Sequence, residues 1–189
     1  MILHTSLSSI LTEKAEILSL VQDEAAKVLS WQPVRKCWAA VELDTRKNLF
    51  SSVGTGAQGA TVTLRAEQKL SLHQALRWRG QFLLPTSIIT VPGQDKKEVK
   101  AALCTPLDCQ ADVDRADAGI RFPGILTEKY TASMHEQLDP YAMVTANHVL
   151  VTPKAAVLAP GSWVNVGGDI YQVLIPHELD EWKNEYEIQ

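Results

Sequence analysis

Leu76-Arg77-Trp78-Arg79-Gly80-Gln81-Phe82-Leu83-Leu84 is the stretch that decides how this chain is read. An alternating run meets a glycine corner and continues into a second run led by an aromatic residue. Glycine takes positive φ without steric cost, so it lets two strands fold back on one another with the right twist. The signature returns in Trp163-Val164-Asn165-Val166-Gly167-Gly168-Asp169-Ile170-Tyr171-Gln172-Val173. Each segment reads as a β-hairpin. A chain that builds hairpins and assembles no acid, base or nucleophile around them is expected to be a scaffold or joint, not an enzyme.

Working outward from the corners, Val34–Leu43 places Cys37, Ala39, Val41 and Leu43 on one alternating face. Ala60–Ala66 alternates in the same way with β-branched residues, so both read as strands. Between them, residues 51–59 are rich in Ser, Gly and Thr and read as a loop. The strand returning from the first hairpin, Phe82–Val91, ends at Pro92-Gly93-Gln94-Asp95, a turn tetrad, and Val99–Thr105 follows as a further strand. Residues 107–124 hold Asp112, Asp114 and Asp117 with little apolar periodicity and read as a linker or long surface loop. Tyr130–Met134 and His148–Thr152 read as strands, and the acidic tail after Pro176, with Trp182, Tyr186 and Ile188, as a final strand or docking peptide. Upstream, Leu7, Ile10, Leu11, Leu18, Val21, Ala25 and Val28 recur at three- and four-residue spacing, which predicts a helix over 6–29 ended by Pro33.

The 189 residues are 46% hydrophobic, enough for a real core in one generous domain or two small ones. Charge is uneven: residues 31–110 hold eleven basic and six acidic side chains, residues 111–189 five and twelve. Such asymmetry suits head-to-tail association, contact of the basic half with nucleic acid, or ordinary solvated surface. Cys37, Cys104 and Cys109 form no C-x-x-C, so neither a disulfide framework nor a zinc knuckle is indicated. No basic leader precedes an apolar core at the N-terminus, and no run approaches the roughly 18 apolar residues of a membrane span. No membrane partner is expected.

The chemical motifs are weak. Gly54-Thr55-Gly56-Ala57-Gln58-Gly59 matches G-x-G-x-x-G, yet the following segment alternates as a strand and provides no helix N-terminus for a pyrophosphate. His177-Glu178 opens like H-E-x-x-H, but the fifth position is Glu181, so the second imidazole is missing. His4, His73, His135 and His148 are scattered, and no G-x-S-x-G or Walker-type loop is present. Arg35 and Lys36 precede Cys37, but alternation turns that thiol onto the apolar face, where it is expected to be inert. Arg77 and Arg79 share the face opposite Trp78 and are the residues placed to face DNA. No catalytic residue, metal or cofactor is assigned.

The passage Leu70–Ile88, with its apolar strand, Trp78, Gly80 corner and returning Phe82 strand, resembles small virion proteins of tailed bacteriophages, the head-tail adaptor, stopper or minor capsid class. Gly161–Val173 looks like the same kind of module. The resemblance implies small β-barrels, ring-like assembly beneath a portal by strand pairing or docked termini, and a location in the virion, or in the host cytoplasm during assembly. The expected fold is therefore mainly β (α+β): an N-terminal helical segment (1–32), then small antiparallel barrel-like lobes at 33–110 and 111–189, or one continuous barrel with an insertion. The expected partners are other copies of the chain and portal or tail proteins, with non-specific DNA contact. Leu7, Ile10, Leu11, Leu18, Val21, Trp182 and Tyr186 are the expected interface. The alternatives are an OB-like single-strand nucleic-acid binder, or a small nucleotide-binding protein or hydrolase using the Gly54–Gly59 loop.

Overall fold

The computed structural model describes residues 10–48, 57–113, 119–128 and 148–189. The chain divides into two compact units, one of residues 1–21, 30–50 and 56–105, the other of residues 22–29, 51–55 and 106–189.

The first unit is a closed six-stranded antiparallel barrel. Its strands are β1 (Glu13–Asp23), β2 (Val28–Asn48), β3 (Ala57–Arg65), β4 (Gln74–Trp78), β5 (Gln81–Thr90) and β6 (Lys96–Cys104). They run in the order β1-β4-β5-β6-β3-β2, and pairing of β1 with β2 closes the ring. The corner that opened the sequence reading joins β4 to β5: Trp78 pairs with Gln81, and Arg79 and Gly80 take φ of 50° and 78°. Positive φ at both central residues is the twist-matched two-residue turn. Inside, Trp78 belongs to one buried cluster with Ile17, Leu64, Leu76 and Leu83, in which Ala15, Ala39, Ala60 and Ala101 on β1, β2, β3 and β6 leave room for a large ring. Pro85, which cannot donate to a ladder, sits where β5 slips register against β6.

The second unit repeats this plan. β7 (Leu107–Ala111), β8 (Arg121–Glu128), β9 (His148–Pro153), β10 (Trp163–Val166), β11 (Asp169–His177) and β12 (Lys183–Ile188) run in the order β8-β7-β10-β11-β12-β9, closed by β8–β9. Substituting β7 to β12 for β1 to β6 reproduces every pairing of the first ring. Register repeats as well. Trp78 and Val166, 88 positions apart, both precede the corner residue. Arg65–Lys96 corresponds to Pro153–Lys183, Val62–Val99 to Leu150–Tyr186, and Ile89–Glu98 to His177–Glu185. Even the irregularity returns: β11 slips against β12 between Val173 and Ile175, the counterparts of Pro85 and Ser87. The chain thus contains one barrel plan twice. In the second barrel the large core residues are Phe122 on β8, Leu150 on β9, and Tyr186 and Ile188 on β12, with Val164 and Val166 on β10.

The helix expected over 6–29 does not form in the described part of that segment. Residues 13–23 are β1, and an antiparallel return begins at Val28. Two contacts explain the outcome. The Asp23 carboxylate accepts N–H bonds from Ala25 and Ala26, both at 3.0 Å, and Lys27 enters the left-handed region at φ 52°, which makes a turn where the helix would continue. Glu13 and Glu16 meet Arg79 and Arg77 across the β1–β4 pair, cross-strand partners that no local helix could supply. Residues 107–124, expected as linker, contain β7 and the start of β8. The strand expected at Tyr130–Met134 lies outside the described residues.

Candidate interaction surface

The residues expected to make an interface divide sharply. Leu11 and Leu18 are buried, and Tyr186 is wholly inaccessible in the second barrel's core, so these three serve this chain's own packing. Ile10, Val21 and Trp182 remain exposed, at 44%, 49% and 37%. Leu7 lies outside the described residues.

Arg77 sits on the outer face of β4 and Arg79 in the corner that follows it, and both are engaged. Arg77 Nε lies 3.6 Å from Glu16, and Arg79 Nε lies 3.1 Å from Glu13 and its guanidinium 4.9 Å from the Trp78 ring centroid. The Trp78 indole N–H also donates to Glu13. Each arginine is therefore matched by a carboxylate, which reduces the field either offers a phosphate.

The thiols are poor nucleophiles. Burial pushes Cys37 above its ordinary pKa, with Arg35 only partly opposing, and pushes both Cys104 and Cys109 up to about 12. All three are free. His177 Nε2 is 3.1 Å from Glu187 across the β11–β12 pair, a strand contact unlike a helical zinc motif. Among the described residues no three His, Cys, Asp or Glu side chains gather as a metal site, and no helix is long and apolar enough to cross a membrane. Gly54 and Gly56 lie outside the described residues. The segment after them is strand β3, so within the described residues no helix dipole follows the glycine pattern.

Two features stand out that the sequence did not single out. The first is the β11–β12 loop, where Leu179 is fully exposed between Glu178 and Asp180. This loop is firmly held from beneath. The Lys154 ammonium donates to the carbonyls of Glu178 at 2.8 Å and Asp180 at 2.7 Å, while Asp180 Oδ1 accepts from the N–H groups of Trp182 at 2.7 Å and Lys183 at 3.3 Å. The second is a cleft of about 420 Å³ in the first barrel, walled by Val34 and Leu70 and edged by Arg35, Lys69 and Lys97. Among the described residues no carboxylate lines it, and Val34 is 60% exposed. Arg35 donates to the Lys69 carbonyl, and Lys97 Nζ to the Gln68 carbonyl at 2.7 Å. The sequence signal for the loop was the lone Leu179 among acids. The cleft had none, because its cations come from three separate segments.

The chain matches no known protein-family model and no curated protein in sequence.

Proposed function

We propose that this chain is a non-catalytic structural subunit that works by oligomeric, ring-like assembly, as a joining component between head and tail of a tailed phage or prophage particle. The observation that carries the reading is the exposed apolar surface on two barrels that do not need it for their own cores. Val34, Trp38 and Ile89 on the first, and Trp163, Ile170 and Leu179 on the second, are 40% to 102% exposed while both lumens are already filled. Apolar side chains that the closed cores leave in water are available to pack against another chain. The thiols held protonated by burial and the ion-paired arginines support a role in contact over one in chemistry. The virion setting rests on the resemblance of Leu70–Ile88 and Gly161–Val173.

The test is sedimentation velocity and negative-stain imaging of the purified chain, alone and with portal-bearing heads from a producing host. Rings, or co-sedimentation with the heads, are expected. A strict monomer that joins no particle, or turnover of a small molecule, overturns the reading.

A further inference from the structure

The duplication supplies an internal control for the cationic cleft. The loop joining the third and fourth strands is built the same way in both barrels. The Gln74 N–H donates to Ser71 O at 3.1 Å, and its counterpart Ser162 N–H to Ala159 O at 3.1 Å. Lys97 Nζ donates to Gln68 O at 2.7 Å, and its counterpart Asn184 Nδ2 to Ala156 O at 3.1 Å. The second barrel therefore holds this loop with a neutral amide where the first uses an ammonium. It carries Val157 where the first carries Lys69, and Leu158, the counterpart of Leu70, is buried at 2% exposure. The loop does not require the cations. They are an addition confined to the first barrel, beside an apolar wall that stays open.

The second barrel carries the complement. At the place where the first has the Val91–Asp95 turn, it has Glu178-Leu179-Asp180-Glu181-Trp182, a pre-ordered loop in which the Asp180 carboxylate is spent on its own backbone and on Lys183 at 3.6 Å, Glu178 accepts from the Tyr186 hydroxyl at 3.4 Å, and the fully exposed Leu179 stands between Glu178 and Glu181. A phosphate would use the cations of the cleft and leave Val34 and Leu70 in water. A leucine flanked by acids satisfies both walls at once. We infer that the Glu178–Trp182 loop of one copy docks in the Arg35, Lys69 and Lys97 cleft of a second copy, with Leu179 against Val34 and Leu70. This rests on the assembly reading above and names its contact. Because donor loop and acceptor cleft are different surfaces, the contact is heterologous and repeats from copy to copy.

The test compares the self-association of the full chain with that of Leu179→Asp, of Lys69→Glu/Lys97→Glu and of Glu178→Lys/Glu181→Lys by sedimentation velocity. Unchanged circular dichroism and melting temperature serve as the folding check. Each variant should weaken association roughly tenfold or more, and mixing the two charge-reversed proteins should restore it. If the unaltered chain associates and the variants associate equally well, the docking is overturned while the assembly reading stands. If the unaltered chain is monomeric at every concentration and joins no particle, both fall. A single-stranded oligonucleotide that binds the chain and is lost in Lys69→Glu/Lys97→Glu, with association unchanged, makes the cleft a polyanion site and also overturns the docking.

Discussion

The two barrels share strand order, register and even the position of one bulge, yet they fill their lumens and dress their ends differently. In the first, the largest core ring is Trp78 on the fourth strand, among alanines. In the second, the bulk sits on β8, β9 and β12 as Phe122, Leu150, Tyr186 and Ile188. A ring of six strands thus fixes the volume to be filled and leaves open which strand supplies it. The ends diverge further, with cations and an open apolar wall on one barrel and an acid-flanked leucine on the other. Backbone plan is shared, and side-chain specialisation is not.

The largest effect expected from this comparison is in the cores. Trp78→Ala should cost about 3–5 kcal/mol in urea unfolding, and Val166→Ala at the matching position clearly less. Equal losses would mean that the lumens are not filled in the two ways described. Next come the Lys-x-Glu pairs that open the sixth strand of each barrel, Lys96–Glu98 and Lys183–Glu185. Glu185 is 2% exposed, so Glu185→Gln should cost about 3 kcal/mol, whereas Glu98→Gln, on a more exposed pair, should lower the unfolding midpoint only slightly at neutral pH. The Lys96 hydrogen bond and charge hold the Glu98 carboxyl below its ordinary pKa. Any stabilisation from it is therefore present above that ordinary value and lost as pH falls through the lowered one.

A smaller effect separates Val99 from its counterpart Tyr186. The Tyr186 hydroxyl accepts the buried Leu158 N–H at 3.1 Å, so Tyr186→Phe should cost about 1–3 kcal/mol and speed hydrogen exchange at Leu158. The smallest effect at neutral pH is that of Cys104 and Cys109, one thiol in each barrel. Burial raises both to about 12 from an ordinary 9.0, so the folded chain keeps protons that the unfolded chain releases. Stability from this source is complete below pH 9 and declines between about 9 and 12. Cys104→Ala and Cys109→Ala should each flatten that alkaline decline, and an aromatic disulfide reagent at pH 8 should react with neither thiol until the chain unfolds.

The hairpin corners were legible because a two-residue turn is local chemistry: Gly80, and Gly167-Gly168, need only their own φ. The alternating strands around Ala39, Val62 and Val99 were legible for the same reason. The 6–29 segment misled because its leucines satisfy a helical stripe equally well, and the partners that make it a strand, Arg77 and Arg79, lie more than fifty residues away. In residues 107–124 the strand signal was short, because β7 is only Leu107–Ala111 and β8 begins at Arg121 with a glycine at an inward position. A Cβ on Gly124 would stand 2.7 Å from Cys109 Sγ and 2.8 Å from Leu150 Cδ1. The tail kept its place as a strand, but its aromatics went different ways: Tyr186 inside, Trp182 in the open. The depth of the repeat was signalled only twice, by the corners and by Lys96-Lys97-Glu98 beside Lys183-Asn184-Glu185.

Because the terminal members of each ring are bonded to one another, among the described residues neither ring ends in an open edge strand. Contacts between these closed rings draw on side chains, so the charged docking inferred above should weaken as salt rises while the barrels stay folded.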